Sequence, residues 1–347
     1  VDQFPELRDG FETTVSGLYC VGDLTGIPLI KPAADSGCEL MDRLADDEQF
    51  AREREANNDD GVYDLVIAGA GPAGISAAMH AKEKGYKHLV LESSRKFNTI
   101  VNFPTGKPIY VTPEDQPFRS KLTFSDGTKE SLLEELHDDI AGMDLPIREG
   151  ETVKRVIKQD GHFTVESAND SYKALRVIVA IGKTGNARQL GVPGDTLPKV
   201  FTRLIDPGEH EDQDVLVVGG GDSALEAAVA LTRNGNRVTL SYRRGEFSRP
   251  KEHNVNAFNQ QVDRGNITPV FESTVKEIRE EEVVLTTKAG EQTIPNQAVF
   301  GLIGTEFPIK FFKRSGIRME GENRLVDRVG TAALLLFAGV LYFGKKA

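Results

Sequence analysis

Gly69, Gly71 and Gly74, with Glu92 behind them, are spaced to hold a phosphate chain and the sugar next to it. In Gly69-Ala70-Gly71-Pro72-Ala73-Gly74 the first glycine permits a tight turn and the second lets the backbone approach a pyrophosphate. The third lets a helix pack closely on a strand. The helix that follows offers unpaired N–H groups and a partial positive charge to the phosphates. Glu92 can accept hydrogen bonds from both hydroxyls of a ribose. A second set, Gly219-Gly220-Gly221-Asp222-Ser223-Ala224, echoes the first, with Ala224 in place of the third glycine. Laying Gly69 on Gly219 puts Glu92 opposite Tyr242, so the carboxylate is lost. Arg243 and Arg244 follow it, with Arg249 and Lys251 close behind. A carboxylate repels a 2′-phosphate, whereas guanidinium groups bind it bidentately with charge assistance. The second site therefore expects NADPH, and the first suits FAD, whose adenosine ribose bears no phosphate.

Each set needs a βαβ unit to position it. Leu65-Val66-Ile67 reads as a buried strand, an Ala-rich helix follows the first glycines, and Leu89-Val90-Leu91 is the strand that ends on Glu92. Asp214–Val218, an Ala- and Leu-rich helix reaching Asn234-Gly235, and a strand over 237–241 form the second unit. Length 347 is ample for two domains. The formal net charge of −11 argues against nucleic acid, which needs a basic face. Two cysteines without a Cys-x-x-Cys spacing or a Cys/His cluster give neither a disulfide framework nor a metal site. That is simplest in a cytoplasm-facing protein. The chain opens on Val1 rather than Met, as a fragment or processed form would.

Gly17-Leu18-Tyr19-Cys20-Val21-Gly22-Asp23, followed by a helix from Lys31-Pro32, resembles the second FAD fingerprint of thioredoxin-reductase-like flavoproteins of the pyridine nucleotide-disulfide oxidoreductase superfamily. The resemblance implies that Asp23, after Gly22, holds the ribityl chain. It also implies that the helix start over Lys31, Pro32 and Ala33 faces the flavin C2 carbonyl, with Lys31 favouring negative charge there. The loop Asn98-Thr99-Ile100-Val101-Asn102-Phe103-Pro104 resembles one that passes the flavin ring, which places Asn102 at the cofactor. In the family the Gly-Asp segment follows the nicotinamide domain; here it precedes the first glycines. Circular permutation through an acidic linker over 45–61 is one explanation. The other is that residues 1–45 end a preceding module of a longer chain. Permutation is favoured because the second half of the chain has no other such segment.

The expected fold is α/β, with two Rossmann-like dinucleotide-binding domains for FAD and NADPH, the first permuted. Residues 1–45 and 62–197 form the FAD domain, 46–61 a linker, 198–308 the NADPH domain and 309–328 a polar connector. Residues 329–347 are expected to form a C-terminal apolar helix. The span over 329–344 is uncharged and is read as a membrane anchor for cytoplasmic catalytic domains, with a buried core helix as the alternative. Other expectations over the chain are a helix over 131–141 capped by Ser131, a hairpin over 152–165 and a strand over 175–180.

True thioredoxin reductases carry a Cys-x-x-Cys pair shortly before the second glycine fingerprint. Here Lys199-Val200-Phe201-Thr202-Arg203-Leu204-Ile205-Asp206-Pro207 holds no cysteine. A dithiol relay lacks its nucleophile. The chain thus resembles the branch without the pair, bacillithiol-disulfide-reductase-like proteins, although relatives there place a Cys where this chain has Ala73. The resemblance implies an NADPH-dependent flavoprotein oxidoreductase that passes hydride to FAD and then directly to an acceptor, a small disulfide or a redox protein. The acceptor is unknown and no catalytic side chain is assigned. The alternatives are electron transfer of the ferredoxin/flavodoxin–NADP reductase type and a non-catalytic FAD/NADPH-sensing module. The sequence does not reveal the oligomeric state, and a homodimer is one option. Cys20 and Cys38 read as small hydrophobes, and His210 and His253 as surface or capping residues.

Overall fold

The computed structural model describes residues 4–159, 161–183 and 187–322. Strands β1 (Leu18–Cys20), β2 (Val62–Ala68) and β3 (His88–Glu92) are aliphatic-rich and buried almost throughout, as strands covered on both faces must be. Helices α1 (Ile30–Ala45), α2 (Glu48–Ala56) and α3 (Pro72–Glu83) separate them. Next come α4 (Asn98–Val101), the short pair β4 (Pro108–Ile109) and β5 (Gly127–Thr128), and α5 (Lys129–Ile140). They lead to β6 (Ile147–Glu149), the hairpin β7 (Arg155–Gln159) and β8 (His162–Glu166), and β9 (Ser171–Val179). The sheet runs β6-β3-β2-β9-β8-β7, and β1 also pairs with β9. Burial in β9 alternates over its first four residues and is continuous after them. Its neighbours explain the change: residues 171–174 pair antiparallel with β8, whereas 177–179 lie parallel to β1, with Leu18 opposite Val177.

The residues ahead of the first glycine turn thus complete its sheet. Farther out, Pro5 bridges Met319, the Glu6 amide donates to the Arg318 carbonyl at 2.8 Å, and the Glu320 amide donates to the Phe4 carbonyl at 2.8 Å. The joining stretch is no loose tether. Asp47 caps α2, Phe50 is fully buried, Arg54 pairs with Asp64 at 3.0 Å, and Glu53 pairs with Arg176.

The second sheet contains β10 (Val200–Phe201), β11 (Asp214–Val218), β12 (Arg237–Tyr242), β13 (Ile267–Phe271) and β17 (Ala298–Gly301). Its order is β10-β17-β11-β12-β13, all parallel. Helices α6 (Asp222–Leu231) and α7 (Glu252–Asp263) pack on one face, and the antiparallel sheet of β14 (Thr274–Ile278), β15 (Glu282–Thr287) and β16 (Gly290–Pro295) packs on the other. Leu190, Val192 and Leu197 pack with this second core, so the crossover lies earlier than residue 197.

Three expectations are corrected. The stretch read as a polar connector contains α8 (Ile309–Arg314), and Phe311, Phe312, Ile317 and Met319 are buried in the first domain's core. The cap of α5 is Thr128; Ser131 returns a hydrogen bond from its third helical position, closing a capping box. Membrane anchoring is not supported, since no helix among the described residues is long and apolar enough to cross a membrane. The longest described helix, α1, has 16 residues and carries Asp35, Glu39, Asp42 and Arg43. The apolar span at 329–344 lies outside the described residues.

Candidate functional site

At the first turn Gly69 has φ +107°, and a Cβ there would sit 2.3 Å from the Ala180 carbonyl oxygen. A Cβ on Gly74 would come 1.9 Å from the Gly69 carbonyl oxygen, so strand and helix can approach only through glycine. Gly71 differs: it caps α3 and has nothing within 4 Å of its Cβ position. That open face, with Pro72 and Ala73 beginning the helix, is where a pyrophosphate can reach the α3 amides. Glu92 stands behind it. One carboxylate oxygen accepts from the Ala70 amide at 2.8 Å, and the other from the Ser94 amide at 2.9 Å and the Ser93 hydroxyl at 3.1 Å. With three of about four acceptor positions occupied, the carboxylate is held still at the end of β3.

The Gly22-Asp23 segment meets this turn. Gly22 has φ +73°, its Cβ position is 3.0 Å from Ala73 Cβ and 3.8 Å from Ala33 Cβ, and its amide donates to Ser36 Oγ at 2.9 Å. The first turns of α1 and α3 therefore converge on Gly22. They hold together because Gly37 of α1 lies directly on the Ala73 carbonyl. Burial pushes the Asp23 carboxyl above its ordinary value, while the Lys183 charge pulls it down. A half-buried acid beside an open helix start fits a polyol chain and pyrophosphate, as in FAD. Lys31 is turned elsewhere. Its ammonium, nearly fully buried, donates to the carbonyls of Pro113, at 2.7 Å, and Gln116, and lies 4.8 Å from the Phe118 ring centroid. It pins the 113–118 loop over α1.

The second turn repeats the logic. Gly219 has φ +149° and a Cβ position 2.4 Å from the Leu302 carbonyl oxygen. Ala224 replaces the third glycine at a close 3.0 Å. Gly221 caps α6 with open space beside it. A Cβ on Gly220 would strike the Tyr242 ring at 2.2 Å, and that ring stacks on Phe247. Asp222, the first residue of α6, lines the open face and also reaches α7. Its Oδ1 accepts from the Lys251 amide at 2.8 Å and the Asn254 amide group at 2.7 Å, tying the start of α7 to the glycine turn.

A cavity of about 810 Å³ runs from this turn to the first domain. Gly219, Gly221, Asp222, Ser223, Tyr242, Arg243, Arg244 and Arg249 line one side; Asn98, Asn102, Phe103 and Lys107 line the other. Asn102 therefore faces the second turn's cavity, hydrogen-bonded to Asn98 at 3.0 Å. The domains meet where the Thr105 amide donates to the Ile205 carbonyl at 2.9 Å and Lys107 pairs with Glu226 at 3.0 Å. Neither Lys107 nor Glu226 is marked by local spacing.

Burial pushes the Cys20 thiol far up, and burial with the Asp42 charge raises Cys38, whose Sγ donates to the Arg119 carbonyl at 3.3 Å. Both are buried thiols, poorly suited to nucleophilic attack. No group of His, Cys, Asp and Glu among the described residues can hold a metal ion.

A family model for pyridine nucleotide-disulphide oxidoreductases matches residues 66–328. Bacilliredoxin reductase Bdr of Bacillus subtilis is 31% identical over 266 residues, 74% of this chain and 82% of that protein. Ferredoxin–NADP reductase of Ignicoccus hospitalis is 30% identical over 77% of this chain and 85% of its own length. Thioredoxin reductase of B. subtilis is 30% identical over 80% and 85%. Among solved structures, bacillithiol disulfide reductase Bdr from Staphylococcus aureus matches with a TM-score of 0.66 at 30% identity, over 74% of this chain and 80% of that one.

Proposed function

From the premise that this chain belongs to the pyridine nucleotide-disulphide oxidoreductase family, whose reductases depend on FAD and NADP(H), we propose that it passes hydride from NADPH to FAD and then straight to an acceptor, without an enzyme dithiol. The observation that carries this reading is the contrast between two glycine turns. One has an anchored carboxylate at its ribose end and the other three arginines facing a shared cavity. Bound FAD supplies the two-electron chemistry. The chain's residues bind and orient. Gly71 and the α3 amides take one pyrophosphate, Asp23 and Glu92 take hydroxyls, Gly221 and the α6 amides take the other pyrophosphate, and Arg243, Arg244 and Arg249 take the 2′-phosphate. Residues 199–207 contain no thiol, and Cys20 and Cys38 are buried, which supports direct transfer to the acceptor.

We further infer that residues 4–45 are the part of the FAD domain that relatives carry after the nicotinamide domain. The pairing of β1 with β9 and of Phe4 and Glu6 with 318–320 supports a permuted order in which the FAD site is complete in one chain. Anaerobic absorbance spectra of the FAD-reconstituted protein test the function. Loss of the flavin band on adding NADPH is expected; binding of NADPH without bleaching would select a non-catalytic sensor.

A further inference from the structure

Two lysines among the described residues are buried, Lys31 at 2% exposure and Lys129 at 8%. Both spend their ammonium groups on backbone carbonyls of the excursion between α4 and α5. Lys129 donates to Phe103 at 2.8 Å, and Lys31 to Pro113, at 2.7 Å, and to Gln116. Lys31 is the costlier of the two. Its ammonium meets two carbonyls and the Phe118 ring rather than a carboxylate. It is also the second residue of α1, at the helix end whose dipole repels a cation. Taking an ammonium out of water is expensive, and replacing a buried charge by an apolar group of similar size is often neutral or stabilising. Fold stability therefore gives little reason for a lysine at this position.

What Lys31 does hold is a segment that bridges two helices. Residues 110–126 belong to no helix or strand, so side chains must satisfy much of their backbone. One face of α1 supplies several of these partners at four-residue spacing. Lys31 takes the carbonyls of 113 and 116. One turn on, Asp35 Oδ1 accepts from the Arg119 and Ser120 amides, each at 2.9 Å, and a further turn on Glu39 pairs with the Arg119 guanidinium at 3.0 Å. The segment then crosses to α3. Ser120 Oγ donates to Ser76 Oγ at 2.8 Å in a buried contact, and Lys121 pairs with Glu83. Residues 113–121 are thus a strap over α1 and α3, the two helices whose first turns converge on Gly22. The strap and that corner are held by neighbouring residues of one helix. Asp35 holds the strap, Ser36 accepts the Gly22 amide at 2.9 Å, and Gly37 lies on the Ala73 carbonyl.

We propose that Lys31 and Asp35 are positioning residues for FAD that act through this strap: closed across α1 and α3, it sets the angle between their starts, so that strap closure and FAD binding favour each other. The inference rests on the reading of the corner at Gly22 and Gly71 as the FAD site. Linkage makes the coupling reciprocal: whatever factor the closed strap adds to FAD affinity, bound FAD adds to strap closure. When the strap opens, the carbonyls of 113 and 116 lose little, because both residues already reach the surface and can turn to water. The Lys31 ammonium gains its hydration back. The strap is therefore poised, and a ligand that prefers the closed arrangement can shift it.

Three measurements on the full chain test this: FAD affinity by flavin fluorescence titration, hydrogen exchange of the Arg119 and Ser120 amides with and without FAD, and the urea midpoint of the apoprotein. Lys31→Met should weaken FAD at least about fivefold and speed exchange at 119 and 120, yet leave the urea midpoint level or raised. Asp35→Ala should weaken FAD to a similar degree. Asp35→Asn, whose amide oxygen can still accept both N–H groups, should stay within about twofold of wild type. Because both residues act through one element, Lys31→Met with Asp35→Ala should weaken FAD little more than the stronger single change. In the wild type, FAD should slow exchange at 119 and 120. Wild-type affinity in Lys31→Met, a loss of affinity that only tracks a lowered urea midpoint, additive losses in the double variant, or exchange at 119 and 120 indifferent to FAD would each overturn the proposal. Failure of the wild type to bind FAD overturns the parent reading instead, and exchange in apo Lys31→Met then still judges whether Lys31 holds the strap.

Discussion

Gly37→Ala is the sharpest test of how the first site is held together. In an exposed helix the change adds about 1 kcal/mol of stability through helix propensity. Here the new methyl would lie 2.2 Å from the Ala73 carbonyl oxygen and 3.0 Å from the Ala77 nitrogen. Both neighbours are backbone, so no side chain can swing aside. A carbon and a carbonyl oxygen settle at about 3.3 Å, so α1 and α3 must separate by roughly 1 Å. Overpacking of this kind costs about 1–3 kcal/mol, which outweighs the propensity gain. The larger effect is positional, because the same crossing sets Ala33 and Ala73 against Gly22. Misplacing binding groups by ~1 Å costs on the order of a hundredfold where geometry matters, so FAD affinity should fall by about ten- to a hundredfold. Urea unfolding of the apoprotein measures the first effect and flavin fluorescence titration the second. A variant with a raised unfolding midpoint and an FAD affinity within twofold of wild type would refute the close-crossing argument.

Other outcomes follow from the same geometry. Arg243→Ala with Arg244→Ala should raise the KM for NADPH by about 10–100-fold, as loss of charge-assisted contacts worth ~1.5–3 kcal/mol implies, and barely move that for NADH; equal losses would show that these arginines do not read the 2′-phosphate. Iodoacetamide at pH 8 should leave Cys20 and Cys38 unmodified in the folded protein but label both in urea, and Cys20→Ala with Cys38→Ala should keep NADPH-driven turnover within about twofold. Asp23 has a raised pKa without cofactor, so the apoprotein should lose stability as pH rises above ~4 through that pKa. FAD, whose hydroxyls donate to the ionised form, should bind more tightly over the same rise; pH-dependent flavin titration checks this, with Asp23→Asn flattening the curve. A chain reopened within 57–61, with residue 320 joined to residue 4 through Gly321 and Glu322, should fold and retain FAD by gel filtration, because those ends already pair antiparallel.

Both βαβ units were legible because their glycines sit at fixed offsets from apolar runs. Gly69, Gly74 and Gly219 each meet a backbone oxygen that a Cβ would strike. The β7–β8 hairpin was legible from alternation. Contacts set at a distance were not. Lys31 sits where the family resemblance implies a flavin contact, yet its ammonium goes to carbonyls in the 113–116 loop. Asp222 looks like a phosphate-turn residue and also secures the start of α7, which spacing does not show. The α8 region reads as polar because Lys310, Lys313, Arg314 and Arg318 surround its few apolar residues. Even so, Phe312 and Met319 are fully buried.

The pairing of β1 with β9 also bears on the order in which the protein is made. Gly22, Asp23, α1, the first glycine turn, Glu92 and β9 all lie before residue 181. At roughly 5–20 residues per second, β1 waits on the order of ten seconds for its partner strand to emerge. The half built on the first sheet can then close before the second sheet has been synthesised. With the Gly-Asp strand at the far end, the same sheet would stay open until the last residues left the ribosome. Only the segment carrying α8, sealed by 318–320 against 4–6, arrives late. Pulse-labelled nascent chains released after about residue 200 should already retain FAD.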